Sequence, residues 1–546
     1  MSPTIDLIRV TSPSSDDWNF GTVTLAHPSI ASIDQGLAES ATRRPDAILV
    51  LDGALAPPGP DLLERLLAGS GDIWHGGLVL GNASRPAEID YVTPTWMLNL
   101  DPDPTIEATS WRLSLRCCLL RPTVVEQLGG PHTGFDTLAG AALDLGLHAI
   151  RSGAIVRHIP GLVVGTAPAD GAPTPDDGLR IIARHHGRRW LWWAAGRRIR
   201  HTGHLLGTAR AVHRCRATTD ELARTRPFTH PVDTTSFEPA SGHDQVTVLV
   251  PTIDRYPYLR TLLEQLAEQT VRPLEVIVVD QTPTARRIDD IAGWAPDLPV
   301  SVLTLDAPGQ CTSRNTGLLA ASGPFVLFLD DDDEVGPTLI EQHLRILAAP
   351  DIAASSGGVD DVGSGPPPYD FTFARVGDVF PTNNTLLRYE ALIGSSLFDP
   401  AFDRGARADH DLGTRLYLAG ALLRFDPEVR LIHHHAPQGG LRTHGARVVT
   451  RASSRRSLTE RNLTTPTEVY LGRKYFSDEQ TAEARAISVL SLFGYDGAFG
   501  RRLLRAIVQL VLLPDSIHKM HEHNRVADAM LRDRVATPEL PPGRVA

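Results

Sequence analysis

Val246-Thr-Val-Leu-Val250, Val276-Ile-Val-Val-Asp280 and Phe325-Val-Leu-Phe-Leu329 are three short apolar runs, and the last empties into Asp330-Asp331-Asp332-Asp333-Glu334. Each run is rich in β-branched or large apolar residues and is followed by polar residues or a helix-like segment. Such runs read as buried parallel strands of an α/β sheet, with functional loops at their carboxyl ends. Four successive aspartates at such an end repel one another unless something positive neutralises them. A divalent cation with oxygen ligands meets that need; a solvated acidic loop or a helix start is the plainer alternative. Asp280, at the end of a second strand, favours the cation.

The surrounding composition bounds the reading. At 546 residues the chain is too long for one core and suggests about three units. A net charge of −11 argues against general nucleic-acid binding, so any basic patch must be local. Lys474 and Lys519 are the only lysines; arginine supplies the remaining basic residues. Cys117, Cys118, Cys215 and Cys311 show no zinc spacing, and a reduced setting fits them. The start Met1-Ser-Pro-Thr-Ile-Asp6 does not read as a signal peptide. No apolar run approaches the roughly 18 residues of a membrane span. The expectation is a cytoplasmic protein, with peripheral contact at the inner face of the membrane left open.

The chain resembles itself. Ala47-Ile-Leu-Val-Leu-Asp52 is a second strand ending in aspartate, followed by Gly53, Pro57-Pro58 and an amphipathic helix at 61–67. Phe325–Asp330, Gly336-Pro337 and a helix at 339–347 repeat that order. Residues 117–146 fall without a gap on 384–413 when shifted by 267: Leu119-Leu120-Arg121 on Leu386-Leu387-Arg388, and Asp144-Leu145-Gly146 on Asp411-Leu412-Gly413. Two matching blocks in one order suggest a duplicated architecture. The copies differ where chemistry would sit. Asp330–Asp333 stands opposite Asp52-Gly-Ala-Leu55, and Asp409 opposite Ala142. The first copy also lacks an obvious counterpart of the 246–280 half.

Four regions follow: 1–160, a catalytically empty copy; 161–242, a basic, Trp-rich helical connector and linker; 243–445, the catalytic domain; and 446–546, a helical C-terminal region. Within the connector, Arg180 to Arg216 contains no acidic residue and carries Trp190, Trp192 and Trp193. It reads as a helix packing tryptophan on a domain surface with its arginines in water. The alternatives are a site for anionic lipid or a polyanionic acceptor and, after it, single-stranded nucleic acid stacked on the tryptophans. Residues 351–380 read as a surface loop. Leu503–Leu513, flanked by Arg501, Arg502 and Arg505, reads as a buried or intersubunit helix, with interfacial membrane contact as the other reading.

Residues 246–435 resemble an inverting GT-A glycosyltransferase of family 2. The resemblance rests on Val250-Pro251-Thr252, Val278-Val279-Asp280, Ser313-Arg314-Asn315-Thr316-Gly317, Leu329 to Asp333, Ala408-Asp409-His410-Asp411-Leu412 and Ile432-His433-His434-His435, in the family's order and at about its spacing. It covers about a third of the chain; the first copy resembles a truncated form of the same fold. The resemblance implies a nucleotide-diphosphate sugar donor, an acceptor hydroxyl (on a glycan, lipid-linked or small molecule), and Mn²⁺ or Mg²⁺ held by Asp330 and Asp332. Asp332 would be the direct ligand and Asp330 would lie nearer the ribose; Asp331 or Asp333 could substitute. His433 and His435, of the triple histidine, would add a ligand.

It further implies that Pro251, Thr252, Asp254 and Asp280 line the base and ribose pocket. Arg314 and Asn315 would meet phosphate at a helix start, with an ordinary cap as the alternative for Asn315. Asp331 would add to the donor site, and Arg442 would close over the diphosphate from a loop at 439–442. Asp409 would be the general base. The family usually has Glu-Asp where this chain has Ala408-Asp409, which bears on the acceptor side. Asp411 reads as structural, because Asp144 survives in the empty copy. The competing readings are a non-catalytic sugar- or nucleotide-binding scaffold and a nucleotidyltransferase. The latter would want a Gly-rich basic first loop, which Thr252-Ile-Asp-Arg-Tyr256 is not. A homo-oligomer is compatible with all three.

Overall fold

The computed structural model describes residues 3–10, 18–83, 99–167, 169–219, 221–222, 226–230, 245–378, 380–437, 451–533 and 535–540. The first half runs β1 (Ile5–Val10), β2 (Val23–Ala26), α1 (Ile30–Arg43), β3 (Ala47–Asp52), α2 (Pro60–Ala68), β4 (Ile73–His75) and β5 (Ala108–Thr109). It continues with β6 (Cys117–Leu120), α3 (Pro122–Leu128), α4 (Leu138–Ser152), β7 (Val156–His158), α5 (Pro175–Thr202) and α6 (Leu205–Cys215). The second half opens with β8 (Val246–Thr252), α7 (Tyr256–Ala267), β9 (Glu275–Asp280), β10 (Val300–Thr304), α8 (Gln310–Ala320), β11 (Phe325–Phe328) and β12 (Asp333–Val335). Then come α9 (Leu339–Leu347), β13 (Ile352–Asp361), β14 (Arg375–Val376), β15 (Thr385–Arg388), α10 (Ala408–Leu418) and β16 (Leu422–His433). Helices α11 (Arg451–Arg456), α12 (Pro466–Tyr475), α13 (Asp478–Ser491) and α14 (Phe499–Arg532) follow.

Both sheets are mixed. The first has the order β2-β1-β3-β6-β4-β7-β5 and the second β10-β9-β8-β11-β15-β13-β16-β12, with β14 on β16. The registers correspond. Ile48 faces Leu120, Leu120 faces Ile73, and Ile73 faces Val156. In the second sheet Val326 faces Leu387, Leu387 faces Ala354, and Ala354 faces Leu423. The last antiparallel pair, Thr109 with Arg157, falls on Val376 with Arg424 at the same shift of 267. Strands β1 and β2 lie parallel where β8 and β9 lie, so the first sheet keeps part of the half expected to be missing. Among the described residues it has no strand in the place of β10 or β12.

The two sheets also meet in a reciprocal way. Gly153 ends α4 at φ +102°, where a Cβ would come 2.5 Å from the carbonyl oxygen of Ala374. Gly420, 267 residues on, has φ +92°, and its Cβ would come 2.4 Å from the oxygen of Glu107. Residue i of one half thus meets residue j of the other and the reverse, the pattern of a two-fold interface within one chain. Arg157 donates across it to the Gly420 carbonyl at 3.1 Å. One apolar cluster includes Ile150 and Val156 from the first half and Leu416 and Leu423 from the second.

The surface loop expected over 351–380 instead contains β13 and β14. Ala353-Ala-Ser-Ser-Gly-Gly358 hides a strand because its side chains are small or polar and satisfied inside: Ser355 Oγ bonds His343 Nδ1 at 2.9 Å and Ser356 Oγ bonds Thr385 Oγ1 at 2.8 Å. Gly357 is required there, since a Cβ would lie 2.0 Å from the Val429 carbonyl oxygen. The connector is helical, with a break at Gly187 (φ +81°). No helix among the described residues is long and apolar enough to cross a membrane.

The reciprocal interface yields a prediction. Gly153→Ala and Gly420→Ala should each destabilise the protein in denaturant titration by more than the roughly 1–3 kcal/mol of a strained backbone, because a clash is added. Gly203→Ala, at φ +70° in open space, should show the strain alone.

Candidate active site

Strands β8, β9 and β11 end side by side, because Thr252 is in register with Asp280 and Leu249 with Phe328. The turn out of β8 passes through Asp254 at φ +57° and delivers Arg255 to the start of α7. Arg255 Nη1 donates to Asp331 Oδ1 at 3.0 Å and to Asp332 Oδ1 at 2.8 Å. Asp332 is fully buried, and its other oxygen accepts the Ala436 amide at 2.7 Å. Asp331 Oδ2 accepts the Thr252 hydroxyl at 2.8 Å. Asp333 Oδ2 accepts the Asp330 amide at 2.7 Å, and its Oδ1 lies 2.9 Å from His433 Nδ1. Asp330 is the most open of the four and pairs with Arg314 at 2.8 Å.

Electrostatics follow from this crowding. Burial drives the carboxyl groups of Asp331 and Asp333 well above the usual range, although Arg255 and His433 respectively pull them down. Burial lowers His433, but its bond to Asp333 and the charges of Asp330 and Asp332 outweigh that and raise it to about 9. One ligand atom from each of Asp361, His433 and His435 falls within 4.8 Å of the others. His435 Nε2 is 2.9 Å from Asp361 Oδ1. Two imidazoles and a carboxylate are a donor set for a divalent metal ion, and Asp333 orients His433 in the way carboxylates orient metal-binding histidines. The residues present therefore fit a divalent ion. They fit it at the histidine end, however, since Asp332, 3.8 Å from His433, already has both oxygens engaged.

Other expected residues divide. Asp280 is buried, accepting from the Thr282 amide at 2.9 Å and the Tyr256 hydroxyl at 2.7 Å. Pro251 lies half-buried in β8. Thr252 supports Asp331 through its hydroxyl, and the Asp254 carboxylate turns outward to a two-pronged pair with Arg286 at 2.9 and 2.6 Å. The amides at the start of α8, expected to meet phosphate, already have a partner. Asp403 caps them, accepting from Cys311 N and Thr312 N at 2.8 Å each. Asn315 is a correction too: it lies inside α8, and its amide clamps the Phe398 backbone with two bonds of 2.8 Å. Arg442 and its loop lie outside the described residues.

Asp409 sits on the first turn of α10 with its side chain about a third exposed. Arg407, at φ +83°, donates to His410 Nε2 at 3.0 Å, which leaves His410 Nδ1–H to face Asp409 Oδ1 at 3.0 Å. Burial pushes the Asp409 carboxyl up, but His410 and Arg407 prevail and hold it at about 2. Asp411 is structural: Lys474, Tyr475 and Arg415 bind it at 2.6, 2.8 and 2.9 Å. Asp144 repeats this with Arg184 and His185. Sequence reasoning missed Arg255, the one basic residue in the first loop, and Asp361, which ends the strand that was read as a loop.

Residues 247–395 match the model of the glycosyl transferase family 2. They are a family 2 glycosyltransferase domain. The pre-mycofactocin glycosyltransferase of Mycobacterium tuberculosis is 30% identical over 220 residues, 37% of this chain and 45% of that relative. The uncharacterized glycosyltransferase YwdF of Bacillus subtilis is 29% identical over 116 residues, 21% of this chain and 42% of the relative. The chain thus spans less than half the length of these relatives. A mannosyltransferase from Pyrobaculum calidifontis, solved with GDP-Man and Mn²⁺, overlays with a TM-score of 0.34 at 17% identity, covering 55% of this chain and 91% of that one. That overlay is too distant to transfer residue roles. In the family 2 domain the aspartate cluster and Asp280 stand at the carboxyl ends of β11 and β9, and Arg314 reaches Asp330 from α8; His433, His435 and Asp409 come from the chain just beyond the matched residues.

Arg255 provides a test. Arg255→Met should destabilise the protein by about 3–5 kcal/mol at neutral pH, because Asp331 and Asp332 lose their buried partner. The deficit relative to the parent should narrow as pH falls and Asp331, already raised by burial, takes up a proton; denaturant titrations at several pH values read it.

Proposed function

We propose that the chain is a metal-dependent inverting glycosyltransferase that moves a sugar from a nucleotide diphosphate to an acceptor hydroxyl. The observation that carries this reading is the Asp330–Asp333 cluster closed against His433 at the end of β11, with Asp280 at the end of β9, within the family 2 domain. Asp280 would take the nucleobase through its remaining lone pairs, and Arg314 would lie against the diphosphate. Asp361, His433 and His435, with Asp330 at the open side, would hold a divalent ion that offsets the charge of the leaving diphosphate.

Inversion needs a carboxylate that is ionised in the resting enzyme and removes the proton of the attacking hydroxyl. Asp409 would take that role: it is part-exposed on the first turn of α10, and His410 and Arg407 hold its carboxyl below the usual range, so that it is charged at neutral pH. Residues 1–160 we read as a non-catalytic copy. Asp52 there is held by Arg116 at 2.8 Å, and Ala142 stands where the second copy has Asp409. The boundaries 161–242, 243–445 and 446–546 complete the proposed organisation. A donor site with Asp332 already neutralised by Arg255 also supports, more weakly, a non-catalytic nucleotide-binding scaffold.

A thermal-shift panel of UDP-, GDP- and dTDP-sugars with and without Mn²⁺ tests the donor site that both readings share, and turnover of the shifting sugar nucleotide separates them. One nucleotide class should raise the melting temperature only with metal, because ligand that binds the native state stabilises it by mass action. Asp409→Asn should keep that shift and lose turnover by about 10²–10⁴-fold. If no sugar nucleotide shifts the melt, the enzymatic reading fails. His410→Gln tests the tuning of the base. It removes a group that depresses the Asp409 pKa, so the acid limb of kcat/KM should move to higher pH.

A further inference from the structure

The first half of α14 is built inside out. Arg505 and Gln509 face the protein: Arg505 Nε donates to the Leu492 carbonyl at 3.0 Å and its Nη1 to the Ser457 carbonyl at 2.7 Å, and Gln509 donates to the Leu458 carbonyl at 3.0 Å. Its apolar residues face outward. Phe499 is 82% exposed, Leu503 56%, Ile507 52%, Leu510 59% and Val511 75%. Positions 499, 503, 507, 510 and 511 recur at three- and four-residue intervals and therefore share one helix face. The run was expected to be buried or intersubunit; among the described residues nothing covers this face.

A second exposed apolar patch lies on helices tied to α14 through α13. Leu205 and Leu206, just after the left-handed Gly203 that ends α5, are 59% and 74% exposed, and Trp192 is half-exposed. Helix α5 is tied to α13 by Trp193 Nε1 donating to Glu483 at 2.6 Å and by Arg197 at 3.3 Å from Glu479. The end of α13 runs into Leu492, which Arg505 of α14 holds. The apolar residues are thus concentrated on helices that connect to one another.

Charge says what covers them. The chain carries −11 overall, yet Gly178 to Thr219 holds ten arginines and no acidic residue, and Phe499 to Leu513 holds three arginines and none. Arg188, Arg189, Arg200, Arg210, Arg501 and Arg502 are exposed. Exposed aromatic and aliphatic side chains bordered by arginine, on helices unable to cross a bilayer, match the chemistry of an interfacial membrane contact. We infer that α14 and the α5–α6 turn dock the protein on the surface of a bilayer containing anionic lipid. This does not depend on the glycosyltransferase reading.

Full-length protein should sediment with vesicles of phosphatidylcholine containing about 30% phosphatidylglycerol, and at least roughly tenfold less with phosphatidylcholine alone or at high salt. Leu503→Glu/Ile507→Glu and, separately, Leu205→Ser/Leu206→Ser should each cut partitioning by about tenfold or more while leaving the melting temperature unchanged, since these side chains are exposed. No vesicle binding, or binding equal for parent and variants, overturns the inference. So does a dimer in light scattering that Leu503→Glu/Ile507→Glu dissolves without vesicles, which would make a second copy the partner.

Discussion

Four consecutive carboxylates at the end of a buried strand are the constraint around which the second half of the chain is arranged. Carboxylates crowded at a buried strand end are costly without partners, and these draw theirs from several different elements. Arg255 comes from the β8–α7 turn, Arg314 from α8, His433 from β16, and the Ala436 amide from the segment beyond it. Strand β12, which pairs Asp333 with His433 in register, exists to hold this arrangement. The first sheet repeats the scaffold without it. With Asp52 alone at the strand end and Arg116 beside it, no such ring is needed, and no β12 is seen among the described residues.

The duplication explains more than sequence likeness. Gly153 and Gly420 occupy reciprocal positions in one interface, and Asp144 and Asp411 anchor the helices that follow their respective sheets. The apolar cluster shared across the interface makes the first half part of the second half's support.

Much of this was legible in the sequence, and for physical reasons. The strands β8, β9 and β11 are short continuous apolar runs, β9 ending in Asp280 and β11 leading into Asp330, and the shift of 267 carried over to register pairs such as Thr109–Arg157 and Val376–Arg424. What escaped was polar and small. β13 is built of alanine, serine and glycine whose partners are far away in sequence, so no periodicity marks it, and Asp361 went with it. Arg255 escaped because a lone arginine carries no pattern until the carboxylates it bridges are placed beside it. Asn315 and the start of α8 misled because a helix start suits phosphate generally, whereas here Asp403, 92 residues from Cys311, fills that role.

The measurement closest to the central claim is electron paramagnetic resonance of Mn²⁺ titrated into the protein with the nucleoside diphosphate of its donor class. The signal of free Mn²⁺ should fall as the parent protein takes up the ion, and should persist for His433→Ala. Equal uptake by both, or uptake by neither, would contradict the placement of a metal-assisted donor site at the end of β11.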